Sequence, residues 1–520
     1  MSPLTVFFLL LGSLSLSDQA WPSAPTVPTS SDSAAVSLQS DLQALLREHR
    51  LGADAAVLVV SVDRGDTLFS HNPYLSLVPA SNLKLLTSLT ALHYLGPSFR
   101  YNTYLLASGP VRDGILEGDL VLYGTGDPTL SSRFGDSVLG AFADTLSAMG
   151  IREIRGDIVG DASYFGGPGV GAGWRSAYSN ATYAAPSSAL SLSENLASVV
   201  IRPASSAGGQ PTIRIAPGGR GLDVINSATT AVGRTRLVLG RGDYNAPLTV
   251  RGQVSTRSTG VTYTVPVADP PLFAAAALRE AIEANGLIVR GVTRSVADAD
   301  VSTLAARTPF APAFGRRSPV QVLAIHTSPP LLDILEVVNK QSNNFMAEQV
   351  VRTIGRVARG EGTVQGGATA VRDFMVRTLS VDSTSLELFD GSGLSPLNRL
   401  TAASVIGVLE FAHAATIWPA FWKTLPETGT PRELRRMLRT PAEGRVRAKT
   451  GTIRGVSALS GYVMTAGGER LAFSIINNAA SNSWRAKLAE DAVVIRLAVF
   501  ERAAVGVDQP VPPGSPPTSR

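Results

Sequence analysis

The chain has no cysteine. Disulfides and thiolate metal sites are therefore excluded, and so is an anchor through a lipidated cysteine. Histidine is nearly as scarce. The five present, His49, His71, His93, His326 and His413, show no metal-ligand spacing and read as structural. No glycine-rich phosphate loop stands between a strand and a helix, which argues against a nucleotide enzyme. Aromatics make up only 6% and no dense Lys/Arg stripe is interleaved with them, which argues against nucleic acid as a partner.

Lysine is the most informative shortage. Of 46 basic residues only five are lysines (Lys84, Lys340, Lys423, Lys449, Lys487), leaving 41 arginines. A guanidinium cannot lose its proton in a protein, whereas a buried lysine can become a general base. Ser81–Asn82–Leu83–Lys84 places one of these rare amines at the start of an apolar run, Leu83 to Leu95, that reads as a buried helix. Three residues is almost one turn, so hydroxyl and amine share a face. A helix start also offers free backbone N–H groups and the positive end of the dipole, which suits a nucleophile that must lose a proton. Taken alone, a serine three residues ahead of a lysine is more often a surface turn.

What is present is an ordinary globular composition: 520 residues, 44% hydrophobic and 17% charged, enough for two or three domains. The net charge of +5 is a mild basic excess, read as spread along the chain and compatible with attraction to an anionic wall polymer. Residues Leu4 to Leu16 form an apolar block too short to span a bilayer, followed by a Pro/Ser/Thr-rich stretch. This resembles a secretory signal peptide over 1–20 and a leader over 21–34, and predicts export. Leu38, Leu42, Leu45 and Leu46 then mark a helix, Ala55 to Val62 a buried strand and Thr67–Leu68–Phe69 its return. From about Gly96 to Arg317 short β-branched runs alternate with Gly, Pro and Asp turns, the texture of one or two inserted strand-rich modules. After Val320 come helices over 331–338, 344–357 and 401–414, a strand edge at Lys449, two strands over 458–463 and 470–476, and a last helix over about 483–500. The Pro-rich end, 506–520, is expected to be disordered.

Two later tracts complete a set with Ser81 and Lys84: Ser342–Asn343–Asn344, and Lys449–Thr450–Gly451–Thr452. In this order the chain resembles the penicillin-recognising serine enzymes, whose signature is S-x-x-K, S-x-N and K-T-G. More narrowly it is similar to the D-alanyl-D-alanine carboxypeptidase/endopeptidase family, the class C low-molecular-mass penicillin-binding proteins. Gly118–Asp119–Leu120–Val121–Leu122, Gly126–Asp127–Pro128–Thr129–Leu130, Asp390–Gly391–Ser392–Gly393–Leu394–Ser395, and the tract from Gly444 through Tyr462 carry that narrower resemblance. So does the long gap between Lys84 and Ser342, where this family inserts extra domains.

The resemblance implies an α/β (α+β) fold: a penicillin-binding-protein/β-lactamase-like transpeptidase domain, an antiparallel sheet flanked by helices, over 35–96 and 318–505. It implies an inserted strand-rich domain over 97–126 and 193–317 and a second over 127–192. It implies a serine D-Ala-D-Ala carboxypeptidase and/or D,D-endopeptidase that cleaves peptidoglycan stem peptides through an acyl-enzyme and takes β-lactams as covalent inhibitors. Ser81 would be the nucleophile, Lys84 the base, Ser342 the proton carrier to the leaving amine and Asn344 a hydrogen-bonding partner of substrate and Lys84. Lys449 would lower the pKa of Lys84 and support Ser342, while Thr450 and Thr452 would bind the terminal carboxylate. The backbone N–H groups of Ser81 and Thr452 would form the oxyanion hole. Gly451 reads as the place where a side chain would crowd a substrate lying on the strand. No metal or cofactor is implied. The location would be the periplasm or cell envelope, which leaves room for peripheral association with membrane or wall.

Three tracts depart from the family pattern: Pro396 after Ser395, Gly429 to Leu434, and Trp174 to Tyr183, which has Ser176, Ser179 and Asn180 where acidic residues are common. These bear on which stem-peptide side chain is recognised. Asp390 reads as a turn residue bordering the site. Two rivals share features of the sequence: a serine β-lactamase, and a non-catalytic wall-binding scaffold.

Overall fold

Ala55–Ser61 (β1) is buried along its whole length, and its side chains go alternately to two different cores. Ala56, Leu58 and Val60 face one, Ala55, Val57 and Val59 the other. A strand with period 2 that is apolar at every position needs cover on both faces, and the chain supplies it from both ends. The computed structural model describes residues 33–502, apart from 136–137, 299, 303–319, 432 and 481. The signal segment expected over 1–20, most of the leader and the tail over 506–520 lie outside the described residues.

Ser33–Glu48 (α1) begins where the leader was expected to end, and Leu38, Leu42 and Leu46 bury one face of it. After β1 comes Thr67–His71 (β2), and then Leu83–Tyr94 (α2), whose first ten residues are all buried. Leu331–Lys340 (α3), Asn344–Arg359 (α4), Val364–Arg377 (α5), Ala402–Ala414 (α6) and Trp418–Thr424 (α7) resume the domain after the insertion. Val446–Ile453 (β3), Gly455–Met464 (β4) and Arg470–Ala480 (β5) complete an antiparallel sheet of order β3-β4-β5-β1-β2, and Ser483–Ala498 (α8) closes the chain. Helices α2, α4 and α6 cover one face with Leu83, Leu86, Val350, Ile354, Val405 and Leu409. Helices α1 and α8 cover the other with Leu38, Leu42, Val493 and Leu497. The result is helix, sheet, helix in three layers.

Helix α5 is one that the hydrophobic pattern does not reveal. Its first turn contains Gly366 and Gly367, poor helix formers. The close approach to α4 explains the second: a Cβ on Gly367 would lie 2.1 Å from the carbonyl oxygen of Val351, while one on Gly366 would meet Glu361 just beyond that helix.

Between α2 and α3 the chain leaves and returns through two neighbouring strands, Asn102–Ala107 and Gln321–Thr327. They belong to a five-stranded sheet with Leu120–Gly124, Ile158–Asp161 and Thr293–Val296. Two three-stranded sheets, built from strands between Leu196 and Pro266, enclose a separate small core of Val199, Ile201, Leu248 and Val250. Hydrogen bonding thus joins the 102–124 strands to Ile158–Asp161, across the module boundary expected at 127. Charge is segregated rather than spread: residues 196–266 hold eight arginines against two aspartates, so the remainder is close to neutral.

Candidate active site

Ser81 lies in a 3-10 turn, Ala80–Asn82, that runs directly into α2. Ala80 before it has φ +48°, a left-handed conformation that a residue with a side chain adopts at a cost of ~1–3 kcal/mol. The turn is held by close backbone approach. A Cβ on Gly393 would stand 1.9 Å from the Ala80 carbonyl oxygen, and one on Gly451 would stand 2.9 Å from that of Pro79 and 3.1 Å from the Ser81 nitrogen. Gly451 therefore lets β3 press against the Ser81 turn, a contact within the protein beside the substrate crowding expected of it.

Lys84, one turn on, is fully buried. Its Nζ lies 3.0 Å from Ser81 Oγ, 2.6 Å from Asn344 Oδ1 and 2.7 Å from the Ser392 carbonyl oxygen. Removal from water brings its pKa down to about 7, against the pull of the Asp390 and Glu348 carboxylates. Asn344 opens α4 and is fixed in orientation because its Nδ2 donates to the Tyr183 carbonyl at 2.9 Å. Asn343 caps that helix, accepting from the Met346 N–H. The start of α4 thus brings the Asn344 amide oxygen directly against the Lys84 amine.

Ser342, also at positive φ (+55°), accepts from Lys449 Nζ at 2.9 Å. Lys449 reaches it from edge strand β3 and donates as well to the Thr450 carbonyl at 2.9 Å. Its pKa is lowered well below the ordinary value, by burial first and then by the charge of Lys84. The repulsion expected between the two amines thus weighs on Lys449, while burial sets Lys84. Thr450 is half-buried and Thr452 exposed on the same strand. Among the described residues, no hydrogen bond ties either hydroxyl to the other motif residues.

Three neighbours were given no role in the sequence analysis. Glu348 follows Asn344 by four residues on α4 and so lies on the same face; that spacing was the available signal. Ser392 meets Lys84 through its backbone, which no side-chain motif records. Tyr183 comes from the insertion. Asp390 accepts from the Gly393, Ser395 and Asn398 nitrogens in a tight turn, and also from the Trp174 indole of the insertion at 2.9 Å.

A hydroxyl on a buried, near-neutral amine, flanked by a second serine–lysine pair on a sheet edge, can form and resolve an acyl intermediate. Fold and site define the penicillin-binding-protein/β-lactamase-like class of active-site-serine enzymes. The chain belongs to the D-Ala-D-Ala carboxypeptidase 3 (S13) family, whose model matches residues 38–499. It is 36% identical over 498 residues to a D-alanyl-D-alanine carboxypeptidase of Actinomadura sp. (strain R39), covering 92% of this chain and 87% of that one. It is 25% identical over 442 residues to the D-alanyl-D-alanine carboxypeptidase DacB of Haemophilus influenzae, covering 84% and 86%. The crystal structure of penicillin binding protein 4 from Haemophilus influenzae superposes with a TM-score of 0.72 at 25% identity, over 89% of this chain and 99% of that one. The protein is a serine-type D-Ala-D-Ala carboxypeptidase/endopeptidase, a hydrolase.

Proposed function

We propose that Ser81 is the nucleophile of this reaction and that Lys84 takes its proton. The observation that carries the assignment is the 3.0 Å contact between Ser81 Oγ and an amine whose pKa is about 7. A base is most effective when its pKa lies near the working pH. Ser81 Oγ adds to the carbonyl between two D-alanines, and the oxyanion faces the backbone N–H groups of Ser81 and Thr452. One such donor is worth about 3 kcal/mol of barrier. Ser342, fed by Lys449, hands a proton to the departing amine; Asn344 holds the substrate amide, and Thr450 and Thr452 receive the carboxylate. Water then releases the acyl group.

The substrate is a peptidoglycan stem peptide, β-lactams acylate the same serine, and the protein works in the cell envelope after export. The catalytic domain is 35–96 with 318–505. The inserted stretch divides along its two hydrophobic cores, with 196–266 as the outer module. The test is mass spectrometry after exposure to a labelled penicillin, then assay on cross-linked and uncross-linked muropeptides. One adduct on Ser81 that disappears in Ser81→Ala is expected. An adduct elsewhere, or none, defeats the assignment, and rapid turnover of the penicillin would mark a β-lactamase instead.

A further inference from the structure

Glu348 has no role in the acyl-transfer scheme, yet it is fully buried close to Lys84. Its Oε1 accepts from the Ser392 N–H at 2.8 Å and from the Gly391 N–H at 3.1 Å, and its Oε2 lies 3.2 Å from the same Gly391 nitrogen. The carbonyl oxygens of these two residues point to α2 instead. That of Gly391 accepts from Thr87 Oγ1 at 2.7 Å, and that of Ser392 accepts from Lys84 Nζ at 2.7 Å. The segment also lies flat on α4, since a Cβ on Gly391 would stand 2.6 Å from Val351 Cβ.

Counting protons on Lys84 shows what this arrangement does. A neutral amine has two N–H bonds and one lone pair. The Asn344 amide oxygen and the Ser392 carbonyl can only accept, so they occupy both N–H bonds. The lone pair is then left facing the Ser81 hydroxyl, the orientation that proton abstraction needs. Asn344 supplies one acceptor directly from α4. Glu348, one turn further along the same helix face, supplies the other by holding the peptide that carries it.

We propose that Glu348 is a positioning residue, whose carboxyl group fixes the Gly391–Ser392 peptide so that the Ser392 carbonyl turns the Lys84 lone pair toward Ser81. It touches neither substrate nor the reacting atoms, and it acts through Lys84. The inference rests on Lys84 being the base.

The test uses the full chain and compares Glu348→Ala with Glu348→Gln, following acylation by a fluorescent penicillin over a range of concentrations. This separates the acylation rate constant from the affinity of the encounter complex. Gln keeps the length and an acceptor oxygen for the Ser392 N–H, whereas Ala removes it. Per folded molecule, Ala is expected to slow acylation at least about tenfold, the scale of a small loss of orientation at a catalytic group. Encounter affinity is expected to be unchanged, and Gln to restore the rate to within about threefold. Glu348→Ala acylating at the wild-type rate would overturn the inference, and so would Gln as slow as Ala, or a loss confined to affinity. If wild type forms no adduct at Ser81, the reading of the site fails first. If wild type reacts normally and Glu348→Ala does too, only the role of Glu348 falls.

Discussion

At the scale of single residues the decisive quantity is the proton affinity of Lys84. Its ordinary pKa is 10.5 and burial lowers it to about 7. With the neutral amine proposed to take the Ser81 proton, the rate of acylation by a penicillin should rise as pH climbs through about 7 and level off above it. A rate that is flat from pH 5 to 8 would remove Lys84 as the base. Lys84→Arg keeps the charge but cannot accept the proton, so acylation should fall by about 10²–10⁴-fold, the usual worth of a general base. Gly451→Ala tests the contact between β3 and the Ser81 turn. Its Cβ would meet the Pro79 oxygen at 2.9 Å, and overpacking of that kind costs about 1–3 kcal/mol. Thermal unfolding at lower temperature, together with slower acylation, is the expected result.

Among the elements, α4 does the most to join the parts. Besides Asn344 and Glu348 it carries Arg352, nearly fully buried, which donates to the carbonyls of Gly362, Ser187 and Gly166 at 3.0, 2.9 and 2.9 Å. Ser187 and Gly166 belong to the insertion, so this one side chain ties the inserted stretch to α4. Arg352→Met should leave buried carbonyls without donors and cost about 3 kcal/mol, readable as a lower denaturation midpoint. On the opposite face Arg436 meets Glu490 at 2.7 Å and Asp491 at 2.8 Å. Glu490 is almost fully buried, so Arg436→Met strands its charge and should cost about 3–5 kcal/mol. The sequence pattern was a good guide to elements written as continuous apolar runs, such as β1 and α2, and to the amphipathic α8. It was a poor guide to α5, where a glycine serves a close helix contact, and to the pairing of the inserted strands, which depends on partners far along the chain.

For the whole molecule, the central sheet joins 55–71 to 446–480, so the two ends of the chain must meet before either core closes. The 196–266 module stands apart from that requirement. It has its own core, and its first and last strands pair directly, Leu196 opposite Pro266. Replacing 197–265 by a short Gly/Ser linker should therefore preserve folding, with acylation by penicillin within about tenfold of wild type, as expected for a separable module. Loss of folding on excision would show that its contacts with the 179–184 segment, through Arg241 and Tyr244, are structural.

From the sequence by itself one could read the chemical groups and their order: a serine and a rare lysine one turn apart, a second serine with an asparagine, and a third tract with its own lysine. Local geometry determines that much, because helical spacing of three residues puts the Ser81 hydroxyl and the Lys84 amine on one face. Only the tertiary structure decided that Lys84 is dehydrated, that Asn344 and a backbone carbonyl share its protons, and that Gly451 serves a contact within the protein. Those properties depend on which surfaces exclude water and which backbones touch, and the segments concerned lie hundreds of residues apart.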